Sequence, residues 1–293
     1  MQWVLLYGGY LRTNMSLFIT SLNSGSNGNC YYIGNETEGV LIDAGISCRE
    51  TEKRMHLLGL ELKMVKAIFI SHEHGDHIRG LAGLATKYTL PVYITGCTSQ
   101  HCGVPVQKDL LKGIFAHEAI PIGGLSVTAF PKHHDAADPH SFVVSGNGVT
   151  VGIFTDIGAC CERVTSYFNK CHAAFLEANY DEDLLEQGRY PLFLKNRIRG
   201  GMGHLSNRQA LELFVAHRPP FMSHLLLSHL SKNNNDPQIV RQLFLDNAGG
   251  VEIVVASRYE QTAVYKIHHG VGGKIAPQLA KILPVKTAQL SLF

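Results

Sequence analysis

No CxxC pair occurs among the seven cysteines of this chain, an odd set at Cys30, Cys48, Cys97, Cys102, Cys160, Cys161 and Cys171. That argues against a zinc-ribbon site and against a disulfide framework, and suits a reducing cytosol. There is no apolar stretch long enough to span a membrane. The opening MQWVLLYGGYLRTN has neither a basic leader nor a small-residue cleavage site, so no secretory signal is expected and the expected location is cytoplasmic. Net charge is almost absent, at +2, with 17% charged and 45% hydrophobic residues. That balance describes an ordinary globular protein whose grip on phosphates, if it has one, comes from local patches. Neither a short repeat nor a low-complexity linker divides the 293 residues.

Histidine is what the chain has in quantity, sixteen in all. The run Ser71-His72-Glu73-His74-Gly75-Asp76-His77 follows directly on Val65, Ala67, Ile68, Phe69 and Ile70, an apolar stretch that reads as a buried strand. Imidazole and carboxylate at this spacing are ligands for zinc, manganese or iron, and Gly75 allows the backbone to fold them inward. A solvated histidine-rich loop is the bland alternative; the position at a strand end favours a metal site.

Strand-like and helix-like runs alternate along the rest. Strands are expected over 17–22, 30–34, 40–43, 65–70, 92–95, 114–116, 125–130, 141–145, 149–154, 173–177, 222–227, 251–256 and 262–267. Helices are expected over 47–58, 78–88, 97–101, 160–168, 181–187, 190–199, 207–217 and 237–247. Gly146-Asn147-Gly148 is a tight hairpin turn, and Ser47 with Glu50 has the form of a capping box. The segment from Asn23 to Asn29 is rich in backbone donors; it is either a plain connection or a ligand-facing loop through Asn27. Strands mixed with helices in both halves predict one compact layered α/β domain.

Ligand-type residues recur at the ends of later apolar runs, where α/β proteins keep their chemistry. His134 or its neighbour His133 follows 125–130, Asp156 follows 149–154, Glu177 ends 173–177, and His229 follows 222–227. With the first loop they offer enough nitrogen and oxygen donors for two metals bridged by a carboxylate, which can clamp both oxygens of a phosphoester displacement.

HxHxDH, a later histidine, an aspartate after a strand and a late strand-end histidine together resemble the metallo-β-lactamase superfamily, over residues 17 to about 267. The resemblance implies a four-layered αββα sandwich, spanning 15–270, with two divalent ions at the sheet edge, Mn2+ or Zn2+. It implies that His72, His74 and His134 bind one ion, Asp76, His77 and His229 the other, and that Asp156 bridges them. It settles His134 over His133, because the pattern places the ligand directly before Asp135. LEANYD, GHLSN and LSHLS are similar to segments of nucleic-acid-cleaving members, which implies His204 as general acid oriented by Glu177, with Asp76 aligning metal and water. More narrowly, SLNSGSNGNC, SHEHGDHIRGL, HHDAADP and FTDIG resemble the bacterial YycJ/WalJ-type exonucleases. That family implies a 5′-to-3′ activity on DNA, in repair or replication.

Lys195, Arg197 and Arg199 before His204, and Arg208 after it, form a basic cluster suited either to phosphates or to a solvated helix face. Ser206 and Ser231 follow His204 and His229 at one offset and offer hydroxyls to phosphate oxygens; Ser206 is equally placed to cap the helix after it. Met15, directly before SLFITSL, is an alternative start, leaving 1–14 as an extension without a fixed fold. At the other end, 271–293 reads as a tail closing on QLSLF. That pentapeptide resembles the motif by which bacterial repair proteins bind the DNA sliding clamp, with Gln289, Leu290, Leu292 and Phe293 as the contacts. The leading expectation is a two-metal DNA phosphodiesterase. The alternatives are an RNA-processing nuclease, a cyclic-phosphodiester or thioester hydrolase, and a clamp-associated binding protein with structural metals.

Overall fold

Val65–Phe69 is buried at every position except Lys66, and Ala173–Glu177 is buried throughout. Strands covered on both faces read as near-continuous apolar runs, and both lie in parallel stretches of sheet. In the computed structural model, which describes residues 16–269, fourteen strands form two sheets of seven.

The first sheet takes β1 (Ser16–Asn23), β2 (Cys30–Gly34), β3 (Gly39–Ile42), β4 (Val65–Phe69), β5 (Val92–Ile94) and β6 (Leu111–Gly113). The second takes β7 (Ala119–Ile122), β8 (Leu125–Pro131), β9 (His140–Gly146), β10 (Val149–Phe154), β11 (Ala173–Glu177), β12 (His224–Ser228) and β13 (Glu252–Val255). The chain then returns to the first sheet as β14 (Tyr265–His268), so the orders are β14-β1-β2-β3-β4-β5-β6 and β13-β12-β11-β10-β9-β8-β7. β3, β4, β5 and β6 run parallel, as do β10, β11, β12 and β13.

Among the described residues nine α-helices occupy the connections: α1 (Cys48–Leu57), α2 (Gly75–Ile78), α3 (Leu81–Tyr88), α4 (Gly96–His101), α5 (Glu162–Phe168), α6 (Glu182–Gln187), α7 (Leu192–Arg199), α8 (Asn207–His217) and α9 (Pro237–Leu245). Three apolar clusters define the layers. One joins the inner faces of the sheets, with Phe69 edge-on to Phe142 at 5.8 Å and Tyr31 against Phe175 at 4.9 Å. A second joins the outer face of the second sheet to Val164, Phe168, Phe214 and Phe244 of α5, α8 and α9. The third joins the outer face of the first sheet to Met55 of α1 and to Leu81 and Leu84 of α3. The expected αββα sandwich is what the chain forms.

Three expectations need correcting. Residues 114–116 are not a strand; the ladders lie on either side, as β6 and β7. The helix expected over 78–88 is two, because Gly80 lies against the backbone of Ile46, where an added Cβ would stand 1.9 Å from the carbonyl oxygen. Ser47 caps α1 through Glu50 N, but the Glu50 carboxylate turns to Arg54 instead of back to Ser47. The reciprocal box is at α8, between Ser206 and Gln209. The 146–148 hairpin forms as expected, with Asn147 and Gly148 both at positive φ. The 1–14 extension, Met15 and the 271–293 tail with Gln289, Leu290, Leu292 and Phe293 lie outside the described residues.

The topology brings the carboxyl ends of β3, β4, β10, β11 and β12 to one edge of the sandwich, where open α/β sheets place ligands. Gly45, just past β3, is held there: its N–H donates to Asn29 O, and an added Cβ would meet Asp76 O at 1.7 Å. Backbone atoms cannot yield as a side-chain tip can, so Gly45→Ala should cost about 3 kcal/mol in urea unfolding. A change under about 0.5 kcal/mol would mean this approach does not constrain the fold.

Candidate metal centre

The side chains of the centre stand at strand ends or in the segment that follows, with Asp76 and His77 in α2, and three of the strand-end residues are left-handed. Asp43 after β3, Asp156 after β10 and His229 after β12 have φ of 62°, 54° and 57°. Such φ values are uncommon outside glycine and persist where the surroundings enforce them, commonly at functional sites. They turn each side chain out of the strand direction and into the shared edge.

His72, His74 and His134 bring one ring nitrogen each within 4.8 Å of one another, and so do one atom each of Asp76, His77 and His229. His72 Nε2 is 3.1 Å from His74 Nδ1. Asp156 lies between the trios: Oδ2 is 3.2 Å from His77 Nε2, and Oδ1 is 3.4 Å from His229 Nε2 and 3.8 Å from His134 Nε2. His77 Nε2 and His229 Nε2 also face Asp76 Oδ2, at 3.6 and 3.4 Å. All seven residues are therefore brought together.

The far side of the His72, His77, His134 and His229 rings is tied down. His77 Nδ1 meets Asp43 Oδ2 at 2.7 Å, and the same carboxylate accepts from Ser71 Oγ and Ser71 N. Ser71 Oγ is 2.9 Å from His72 Nδ1, and His134 Nδ1 meets Gly203 O at 3.1 Å. His229 Nδ1 meets Glu177 Oε1 at 3.1 Å, and His204 Nδ1 meets the same oxygen at 2.8 Å. Glu177 Oε2 accepts from the backbone N–H of Ile157 and Leu205. Fixing one nitrogen aims the other, which is how ligand histidines are oriented. Inside the ring of donors, His134 Nε2 and Asp156 Oδ2 are enclosed without a hydrogen-bond partner. Buried polar atoms need a partner. Imidazole nitrogen and carboxylate oxygen converging on such atoms fit divalent cations, without selecting zinc over manganese.

Protonation shows the strain of holding this set together. Burial works against the charged form of His229, but Asp156, Asp76 and Glu177 outweigh it and raise its pKa to about 10. His77 is also raised well above the ordinary value: burial opposes the charge, and Asp156, Asp43 and Asp76 overcome that. Burial pushes His72 well down and His134 down to about 4. Asp76 and Glu177 are both lowered to about 2: burial opposes this, and His77 beside the first and His204 beside the second prevail.

Several contributors carried little sequence signal. Asp43 was readable by the same strand-end rule as Asp156, but 40–43 as one run places it inside the strand. Asn29 is fully buried and its Nδ2 lies 3.2 Å from Asp76 Oδ2 and 3.1 Å from His77 Nε2. Lys132 is buried behind the centre, donating to Thr155 O at 2.7 Å, and burial lowers its pKa. A loop asparagine and a strand-end lysine do not announce such roles.

The expected substrate-facing residues divide. Ser206 is fully buried, its hydroxyl occupied as the cap of α8 and by Glu182, which removes it as a phosphate contact. Ser231 Oγ accepts from Asn234. Asn27 is exposed at the apex of its loop. Arg197 pairs with Asp135 at 2.6 Å, Arg199 with Glu186 at 3.0 Å and Arg208 with Glu182 at 3.6 Å, while Lys195 donates to Glu186 O. The basic cluster is thus largely neutralised by its neighbours.

A two-sheet αββα sandwich with this donor set at its edge defines a protein of the β-lactamase superfamily. The model of the "Beta-lactamase superfamily domain" matches residues 39–229, and the chain belongs to that family. Within it, the chain is 33% identical over 232 residues to "Exodeoxyribonuclease YycJ" of Bacillus anthracis, covering 78% of this chain and 87% of that protein. It is 28% identical over 241 residues to "Exodeoxyribonuclease WalJ" of Streptococcus pneumoniae, covering 80% and 89%. Among solved structures, the metallo-beta-lactamase fold protein YhfI from Bacillus subtilis superposes with a TM-score of 0.66 at 16% identity, over 86% of this chain and 99% of that one.

The protonation pattern sets how the metal-free protein responds to pH. A histidine titrating near 6.5 when unfolded but near 10 when folded, as His229 does, gives stability that is whole below 6.5 and drains away toward 10. His134, lowered to about 4, costs stability as pH falls from 6.5 to 4, and Asp76 and Glu177 do so as it falls toward 2. Thermal unfolding after chelation should therefore peak near pH 6.5 and decline on both sides. A melting temperature still climbing between pH 7 and 9.5 would contradict the assignment.

Proposed function

We propose that this chain is a metal-dependent phosphodiester hydrolase acting on DNA, as a 5′-to-3′ exonuclease. The observation that carries the reading is the pairing of His204 with Glu177 at 2.8 Å, directly beside the His/Asp cluster. A hydrolase needs a water activator and a group to protonate the departing oxygen, and the two stand together here. Similarity to exodeoxyribonucleases along most of the chain supports DNA as the polymer.

His72, His74 and His134 would hold one divalent ion, Asp76, His77 and His229 a second, with Asp156 between them. Bound there, the ions lower the pKa of water and neutralise charge on the phosphodiester oxygens. The chain's own residues do the rest. Asp76 is aligned by Asn29 and partly exposed, so it would help hold an ion and would orient the attacking water. Glu177 holds His204 Nδ1, which leaves Nε2 free to face substrate from a side chain 20% exposed. As imidazolium, His204 gives its Nε2 proton to the leaving alkoxide of the sugar, and Glu177 stabilises the cation before transfer.

The alternatives of the same chemistry are RNA processing and hydrolysis of a small phosphodiester or thioester. Metal-reconstituted digestion of end-labelled single-stranded DNA, duplex DNA and RNA, beside bis(p-nitrophenyl) phosphate, separates them and reads polarity directly. DNA should be shortened from its 5′ end; inactivity on every substrate with both zinc and manganese would favour a binding protein with structural metals. Asp76→Ala should abolish digestion with the fold retained, and a normal rate in that variant would sink the mechanism. His204→Ala should slow DNA hydrolysis about 10²- to 10⁴-fold, yet slow the p-nitrophenyl ester much less, because that leaving group departs without a proton. Equal losses on both would remove His204 as the acid. The QLSLF terminus supports a sliding clamp as partner; calorimetry of a 284–293 peptide with the clamp of the same organism should show binding, and no heat would rule the contact out.

A further inference from the structure

Two arginines outside the neutralised α7 cluster both hold the same two-residue loop apex. Arg79 NH1 donates to Asn27 O at 2.9 Å. Arg258 NH2 donates to Ser26 Oγ at 3.3 Å, and Arg258 O accepts from Asn27 Nδ2 at 2.8 Å. Ser26, Asn27 and Arg79 are exposed and Arg258 is half-buried. Neither guanidinium has a carboxylate within 4.0 Å among the described residues, whereas Arg197, Arg199 and Arg208 each have one. Arg258 NH1 is enclosed without an acceptor. A charged donor left without an acceptor costs free energy, so Arg258 is held by the loop it supports and not by a compensating charge.

The loop beneath them is built into the centre. Asn29 N donates to Asp76 O at 2.7 Å, and Gly25 N donates to Asn29 Oδ1 at 2.9 Å. Ser24 Oγ accepts from His229 N at 2.7 Å. Arg79 itself is two residues beyond His77, and the segment carrying Arg258 is fastened by the buried Arg54, whose NH2 donates to Tyr259 O at 2.9 Å. The pair is therefore tied, through the loop, to the backbone of Asp76 and His229.

Resting on the hydrolase reading above, we infer that Arg79 and Arg258 form a clamp for a second phosphate of the nucleic-acid strand, next along the backbone from the one being cut. Guanidinium groups take phosphate oxygens in pairs through a planar fork, and two of them free of acidic neighbours suit a singly charged diester. The clamp reads the backbone and carries no base preference. It makes the site one for a polymer: a substrate with a single phosphodiester has nothing to place there. The cluster on α7, already paired internally, contributes less.

The test uses the full-length, metal-loaded protein and fluorescein-labelled phosphorothioate DNA that resists hydrolysis, with affinity followed by anisotropy from 50 to 300 mM salt. Arg79→Gln and Arg258→Gln should each weaken binding about tenfold at the low-salt end and reduce the salt slope of log Kd by about one. Arg258→Lys should restore the slope but not the full affinity, because an ammonium keeps the charge and loses the fork. Arg197→Gln should move both quantities much less. Arg79 is exposed, so its variant remains informative even if Arg258→Gln misfolds. Wild-type affinity and slope in Arg79→Gln would overturn the clamp while leaving the hydrolase reading intact. Failure of the wild-type protein to bind or cut DNA at all would instead overturn the reading on which the clamp rests.

Discussion

Buried negative charge is the constraint on which the structure turns. Asp43, Asp156 and Glu177 are almost wholly out of water and Asp76 is mostly so, all at one edge of the sandwich. Isolated carboxylates in such a place would cost far more than a domain's net stability. They are tolerated because imidazoles face them on every side and Lys132 stands behind, and the histidines are in turn drawn toward the charged form by the carboxylates. The centre is an electrostatic balance that divalent cations would complete.

The fold exists to bring those groups to one place. Two runs of parallel strands, β3 to β6 and β10 to β13, put their carboxyl ends at the same edge, and helices on both outer faces let the strands be apolar throughout. The left-handed residues at Asp43, Asp156 and His229 then bend the chain at the last peptide of the strand. Close backbone approaches at Gly45 and Gly80 clamp the 71–80 segment against β3, so that the ligand loop sits on a rigid floor.

Much of this was legible in the residues. SHEHGDH after an apolar run gave four candidate donors by spacing, and the strand-end rule pointed to Asp156, Glu177, His229 and the His133-His134 pair, of which the family resemblance chose His134. What escaped has physical reasons. Residues 114–116 are β-branched and aromatic in part, yet lie between ladders, because short edge strands such as β6 and β7 are set by tertiary pairing more than by propensity. The break at Gly80 comes from an approach to Ile46, 34 positions away. The roles of Asn29 and Lys132 depend on what lies beside them in space. The basic run around α7 left a phosphate patch and a solvated helix face equally open because its acidic partners, Asp135, Glu186 and Glu182, come from other segments.

Glu177 Oε1 serves two rings at once, His204 at 2.8 Å and His229 at 3.1 Å. The group proposed to release the product and a ligand proposed to hold a cation thus share a single oxygen atom. Neither can drift in sequence without the other feeling it. Variation in how the proposed acid serves a leaving group would therefore be tied to variation in how the proposed ligand holds a cation, and selection would meet the two as one heritable trait.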